Sequence, residues 1–109
     1  KQKKIKHKLL GVPIPLMKSM GEVSVPVAKA MAKGAKESLQ CDWSIAITGI
    51  AGPSGGSVDK PVGTVCFAVS GPGFEYVEQR HIEGLERGII QQRSAEEALK
   101  LLKMAIQSR

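Results

Sequence analysis

The apolar positions of this chain first repeat at helical spacing between residues 27 and 39. Apolar side chains recur every four residues there, with two alanines beside them, and so predict one buried helix face: Val27, Met31, Ala35 and Leu39, with Ala28 and Ala32. Ser24 has the side chain of an N-cap, and Pro26 falls in the first turn, where a missing N–H costs little. Residues 13–20 predict a short helical turn that ends at Gly21.

Two continuous apolar runs follow this helix, WSIAIT at residues 43–48 and TVCFAVS at residues 64–70. Continuous runs favour strands of a sheet that is covered on both faces. The segment EYVEQRHIE, residues 75–83, predicts a third strand that is more polar and so lies nearer an edge. GPGF, residues 71–74, is a turn signal, and we expect the second and third strands to form a hairpin.

A last helix is predicted from about Arg87. Its apolar stripe follows the spacing i, i+3, i+4, i+7 and consists of Ile90, Ala95, Ala98, Leu99, Leu102, Ala105 and Ile106. The predicted order is helix, strand, glycine loop, strand, strand, helix. This order indicates an α/β layered fold, and three strands indicate a piece of such a fold rather than a complete one.

Length and composition limit the class of protein. The chain has 109 residues, which allows one domain, and 42% of them are apolar, which is enough for a small core. No apolar run approaches the roughly 18 residues that cross a bilayer, and no signal peptide is visible, so we expect a cytoplasmic protein. Cys41 and Cys66 lack metal-ligand spacing, and Cys66 is predicted to be a buried small hydrophobe.

The net charge of +6 comes from the start of the chain. Five of the 16 basic residues lie within the first eight positions, and the rest of the chain is nearly neutral. Such a run can contact nucleic acid, but no aromatic side chain is interleaved with it, so a solvated chain start is the favoured interpretation and no nucleic-acid partner is expected.

A glycine-rich loop joins the first two predicted strands. Its glycines are Gly49, Gly52, Gly55, Gly56 and Gly63. Glycines let backbone N–H groups converge on an anion or a carbonyl oxygen, while Thr48 adds a hydroxyl and Lys60 a charge. The loop lacks the G-K-[ST] ending of a phosphate loop, and a plain surface connector remains an alternative. His7 and His81 have no partner at ligand spacing, so no metal site is expected.

The loop ITGIAGPSGG…DKPVGTV, residues 47–65, closely resembles the signature of the CinA C-terminal domain family. KLLGVP (8–13), GEVSVPVAKAMAKGA (21–35) and RSAEEALKLL (93–102) fall in the family's order and spacing. The resemblance implies a three-layer α/β/α domain over residues 1–109, truncated at its N-terminus. It also implies hydrolysis of the carboxamide of nicotinamide mononucleotide to nicotinic acid mononucleotide and ammonia, with no metal or organic cofactor.

The resemblance also assigns roles to residues. It implies a serine nucleophile in an ESCTGG-type segment, which this chain lacks, and an assisting catalytic lysine, which by spacing is Lys6. Where the family has a tyrosine and an asparagine-like residue upstream of that lysine, this chain has Lys1 and Lys3. The substrate-binding residues carried over are Thr48, Gly49, Gly52, Gly55, Gly56, Lys60 and Arg87. Two positions depart from the family: Gln91 stands where a second arginine is frequent, and Val25 stands where a glutamate is found. Arg93 is expected to replace the second arginine in part.

Three hypotheses follow. The first is the amidohydrolase domain without its nucleophile. The alternative is a non-catalytic nucleotide-binding or oligomerisation remnant of the same family, which the two departures favour slightly. The third, a basic nucleic-acid-binding module, depends on the lysine run alone. The expected partners are a small-molecule nucleotide and further copies of the chain, since a truncated sheet exposes an edge, and no membrane association is expected.

Overall fold

A computed structural model of the chain describes residues 14–21, 23–50, 60–82 and 86–108. Within these ranges the elements are α1 (Ile14–Met20), α2 (Val25–Ser38), β1 (Ser44–Gly49), β2 (Thr64–Gly71), β3 (Phe74–His81) and α3 (Arg87–Gln107). The predicted order of elements is confirmed.

The junction between α1 and α2 is built by caps at both helix ends. Gly21 has a φ of +84° and donates its N–H to Met17 O at 2.9 Å, which ends α1. Ser24 is the N-cap of α2, and its hydroxyl accepts a hydrogen bond from the N–H of Val27 at 3.4 Å while donating to Gly21 O at 2.8 Å. The predicted cap, the short first helix and its end at Gly21 are confirmed.

The three strands form one antiparallel sheet in the order β1-β2-β3. Thr48 pairs with Cys66 across β1 and β2, and Thr64 pairs with His81 across β2 and β3. Every residue of β2 is buried, whereas every residue of β3 is half-buried or exposed. The hairpin and the more polar edge strand are confirmed.

Helices cover both faces of the sheet. Successive side chains of β2 point to opposite sides, so this buried strand has an apolar set on each face. One set, Val65, Phe67 and Val69, packs with residues of α3: Ile90, Ala98, Leu101 and Ala105. The other set, Cys66 and Ala68, packs with Ala28 and Ala32 of α2 and with Ala46 of β1. The α2 layer, the sheet and the α3 layer therefore make the three-layer α/β/α arrangement that was expected, and the burial of Cys66 is also confirmed.

The predicted apolar face of α3 is partly wrong. The residues that the helix buries are Ile90, Ser94, Ala98, Leu101 and Ala105. Ala95 is exposed, and Leu99 and Ile106 are 66% and 46% exposed, because they lie on the flank of the helix rather than over the sheet. Ser94 is tolerated inside because its hydroxyl donates to Ile90 O at 2.7 Å.

The predicted face of α2 has one error, at Leu39. This residue is the C-cap rather than part of the helix, and it is 75% exposed. Val27, Ala28 and Ala32 are buried as predicted, and the buried glycine Gly34 lies among them.

Candidate functional site

The site predicted from the sequence lies at the end of the sheet where β1 stops, β2 starts and β3 stops, here called the loop end. The antiparallel pairing brings these three ends together. The helices α2 and α3 also begin there, since Val23, just before α2, accepts a hydrogen bond from Lys60, and Arg87, the first residue of α3, lines a cleft with Gly49. The positive ends of two helix dipoles therefore face the loop end, which favours anions.

The base of the glycine loop is fixed by backbone hydrogen bonds. The N–H of Ile50 donates to Thr64 O at 2.9 Å, and the N–H of Gly63 donates to Ile50 O at 2.7 Å. The N–H of Ile82, just beyond β3, donates to Gly63 O at 2.8 Å. Gly63 has a φ of +98°, and a Cβ there would lie 2.5 Å from Ile82 O. This glycine is therefore required by the contact between strand ends.

Thr48 and Lys60 lie on the α2 side of the sheet. Thr48 follows Ser44 and Ala46 on that face by strand alternation and is buried. The ammonium of Lys60 is held by Val23 O at 2.5 Å. Burial raises the pKa of the Cys66 thiol, and the nearby charge of Lys60 opposes that rise. The lysine charge and the thiol therefore share one side of the sheet.

Gly49 and Arg87 lie on the α3 side, where they line a cleft of about 340 Å³. Its other lining residues are Ile47 and Val65 from the sheet and Ile90, Gln91, Ser94 and Ala95 from α3. A Cβ on Gly49 would lie 3.1 Å from Val65 Cγ2 and 3.2 Å from Thr64 O, so a side chain here would crowd the neighbouring strand at the cleft. The cleft combines apolar walls with one guanidinium and one carboxamide, a usual mixture for a small-molecule site.

The structure thus separates the residues that the sequence grouped together. Of the described members, Thr48 and Lys60 lie on one side of the sheet and Gly49 and Arg87 on the other. Lys6, Gly52, Gly55 and Gly56 lie outside the described residues, so their assignments stay predictions.

Sequence reasoning missed most of the cleft's walls on α3. Gln91, which departs from the family's arginine, lines the cleft one turn after Arg87. The spacing i, i+4, i+7 and i+8 from Arg87 places Gln91, Ser94 and Ala95 on one flank of the helix, so the helical periodicity of the sequence already indicates that they are neighbours. Val25, the other departure, is half-buried and packs against the Cys66 cluster.

The other arginines have different surroundings. Arg80 forms ion pairs with Glu78 and, at 2.6 Å, with Glu97, and its guanidinium lies 5.8 Å from the centroid of the Phe67 ring. The hydrogen bond from Arg80 lowers the pKa of Glu78. Arg93 lines a separate depression with Arg80 and His81, on the β3 side of α3, and so does not replace the second arginine in the cleft.

Two features are absent from the part of the chain that the structure describes. No group of three His, Cys, Asp or Glu side chains in those residues is placed to hold a metal ion. No helix in the same residues is long and apolar enough to cross a bilayer.

Comparisons with known proteins agree with this architecture. A sequence profile described as the CinA C-terminal domain matches residues 2–106. A CinA-like protein of Anaeromyxobacter sp. (strain Fw109-5) is 47% identical over 102 residues, which are 94% of this chain and 25% of that protein. A CinA-like protein of Parasynechococcus marenigrum is 49% identical over 100 residues, which are 91% of this chain and 24% of that protein. The chain thus spans about a quarter of the length of these relatives.

Solved structures show the same fold. A competence/damage inducible protein from Agrobacterium tumefaciens matches with a TM-score of 0.88 and 33% identity, over 92% of this chain and 61% of that one. A CinA superfamily protein from Escherichia coli matches with a TM-score of 0.82 and 38% identity, over 87% of this chain and 55% of that one.

Proposed function

Because the chain belongs to the CinA C-terminal domain family, we propose that it is the ligand-binding part of a nicotinamide-nucleotide amidohydrolase. The reaction converts nicotinamide mononucleotide and water to nicotinic acid mononucleotide and ammonia. The observation that carries the proposal is the cleft in which Gly49, at a strand end, meets Arg87, at a helix start, in a chain of this family.

The cleft offers suitable groups for such a ligand. Arg87 supplies a guanidinium for the phosphate, aided by the positive end of α3. Ile47, which is 36% exposed, offers apolar surface for a pyridine ring, and the buried Val65 and Ile90 form the apolar floor beneath it. The backbone N–H groups of the glycine loop are the proposed donors to the oxyanion that forms when the carboxamide carbon is attacked.

The attacking group is proposed from the family resemblance. A serine hydroxyl attacks the carboxamide carbon and ammonia leaves, after which water releases the acid from the acyl-serine. A lysine, proposed to be Lys6, takes the proton from the serine and returns it to the leaving nitrogen. No ESCTGG-type segment for that serine occurs in this sequence, so the proposal places it in a part of the enzyme with no counterpart here.

A second candidate function is nucleotide binding without catalysis. Gln91 favours it, because this uncharged side chain shares the cleft with Arg87 at the position where the resemblance implies a second arginine. One cation in place of two weakens the hold on a phosphate dianion.

The test compares two arginines of one helix. Arg87→Ala removes the cation of the cleft, and Arg93→Ala is the matched control because Arg93 is exposed and lines a different depression. Calorimetric titration with nicotinamide mononucleotide should show that Arg87→Ala weakens binding about tenfold or more, the value of one charge-assisted hydrogen bond, while Arg93→Ala changes it little.

Catalysis is tested in a chimera in which this chain replaces the matching 61% of the Agrobacterium tumefaciens protein. Ammonia release from nicotinamide mononucleotide, with a KM raised by Arg87→Ala, supports the amidohydrolase. Binding without ammonia release supports the second candidate. Equal binding by the Arg87→Ala and Arg93→Ala variants contradicts the assignment of the cleft.

A further inference from the structure

The charged group of Lys60 bridges two layers of the fold. Its ammonium donates to Val23 O at 2.5 Å, across 37 positions of sequence. It also lies 3.6 Å from the position that a Cβ on Gly21 would occupy. Residues 21, 23 and 24, here called the elbow, connect α1 to α2. Lys60 therefore joins the elbow to the segment by which the glycine loop returns to β2.

Each end of this bridge is held rigidly. On the elbow, Ser24 bonds both Gly21 O and the N–H of Val27, so the two helix caps share one residue. On the other side, Pro61 O accepts hydrogen bonds from the N–H of Thr64 at 3.0 Å and from its hydroxyl at 2.6 Å. A bond between two such segments fixes their relative position rather than the shape of either one.

The elbow and the first turn of α2 pack at the edge of the α2 face of the sheet. Val23 and Val25 pack against the cluster that contains Cys66, whose exposed fraction is 0%. Cys66 pairs with Thr48, one residue before Gly49 and the cleft on the opposite face. The Cys66 thiol lies 3.8 Å from Gln79 Oε1 on the same face. A movement of the elbow away from the sheet would remove Val23 from this cluster, and we expect it to increase access to the thiol close to the loop end.

We propose that Lys60 is a positioning residue, which holds the elbow against the sheet through Val23 O and so fixes the return of the glycine loop beside the cleft. The link to ligand binding depends on the proposed function, whereas the link to the elbow does not. In this role the ammonium acts through the backbone that it holds.

The test measures the reactivity of the Cys66 thiol in a Cys41→Ser background, which removes the exposed thiol of Cys41. Lys60→Met removes the charge and keeps the length of the side chain, and Lys60→Arg keeps a cationic donor. Lys33→Met is the matched control because Lys33 is an exposed lysine at the groove beside the β2–β3 hairpin, at the opposite end of the sheet. The observable is the rate at which iodoacetamide alkylates Cys66 in the folded protein.

Lys60→Met should raise the alkylation rate about fivefold, the change in an opening equilibrium that corresponds to about 1 kcal/mol, while Lys60→Arg and Lys33→Met stay near the parent rate. Loss of the charge by itself acts in the opposite direction, since Lys60 lowers the pKa of Cys66. A faster reaction therefore reports access to the thiol. A rate for Lys60→Met within about twofold of the parent rate overturns the proposal.

Two further readouts separate positioning from general destabilisation and from the proposed function. Local opening gives an alkylation rate that depends weakly on urea, whereas a dependence as steep as that of global unfolding means a merely structural role and overturns the proposal. Nicotinamide mononucleotide should slow alkylation in the parent and slow it less in Lys60→Met. If the nucleotide does not slow alkylation of Cys66 in the parent, the result counts against the proposed function. If it slows alkylation equally in the parent and in Lys60→Met, the result overturns the link between Lys60 and the cleft.

Discussion

Gly63 permits a sharp test of why the glycine motif contains so many glycines. A Cβ at this position would lie 2.5 Å from Ile82 O and 2.9 Å from His81 Nε2, and the backbone φ is +98°. Gly73 in the β2–β3 turn is the matched control, because its φ is +63° and a Cβ there meets nothing within 4 Å. Both positions carry the conformational cost, and only Gly63 carries the clash.

Gly73→Ala should cost about 1–2 kcal/mol, the usual penalty for a left-handed residue with a side chain. Gly63→Ala should cost about 2–5 kcal/mol, because the strand ends must also separate to admit the methyl group. With a urea slope of about 1.5 kcal/mol per molar, the Gly63 variant should unfold about 1–3 M earlier than the parent.

The assay is urea unfolding followed by circular dichroism for the parent and both variants. Equal losses for the two variants would refute the steric reasoning, since the left-handed backbone would then account for both. A larger loss for Gly63→Ala in the absence of any ligand shows that this member of the motif serves the fold of the loop end.

Three other predictions follow from the same structure. Gly88→Ala in the first turn of α3, where a Cβ meets nothing within 4 Å, should raise the free energy of unfolding by about 0.5 kcal/mol, and a lower Tm would contradict this. Arg80 holds the pKa of Glu78 below its ordinary value of 4.5, so the ion pair stabilises the fold above that pH and stabilises it less as the pH falls. Arg80→Met should therefore lower the urea midpoint of unfolding at neutral pH but hardly at about pH 2, and equal losses at the two pH values would contradict this role of the pair. The chain should self-associate through exposed apolar side chains on the flank of α3. Light scattering should show a lower molar mass for a Leu99→Lys, Ile106→Lys double variant than for the parent, and a monomeric parent would contradict the prediction.

The order and types of the elements could be predicted because local signals agreed with the final fold. Ser24 and Gly21 mark helix ends through their own backbone chemistry, which does not depend on distant residues. The face of α3 could not be predicted as well. Leu99 is apolar yet exposed and Ser94 is polar yet buried, because burial is decided by which flank meets the sheet and by a local hydroxyl bond to a carbonyl.

The candidate site was harder still, because the sequence shows proximity along the chain but not the side of a sheet. Thr48 and Gly49 are neighbours in sequence, and strand alternation sends them to opposite faces. Arg87 meets Gly49 only through the packing of α3, which places a residue 38 positions later at the same cleft. A motif read as one site thus supplies groups to two sides of the loop end.

This division clarifies how the loop can serve a ligand. The two strands that flank it are tied at Ile50 and Gly63, so the ends of the loop are fixed before any ligand arrives. On the α2 side Lys60 joins the return of the loop to the elbow, and on the α3 side Gly49 borders the cleft. Strand ends that are fixed in advance lower the entropic cost of binding at the loop end, and so favour affinity without new contacts. A substitution on the α2 side, such as Lys60→Met, is therefore expected to weaken binding in a cleft that it does not touch.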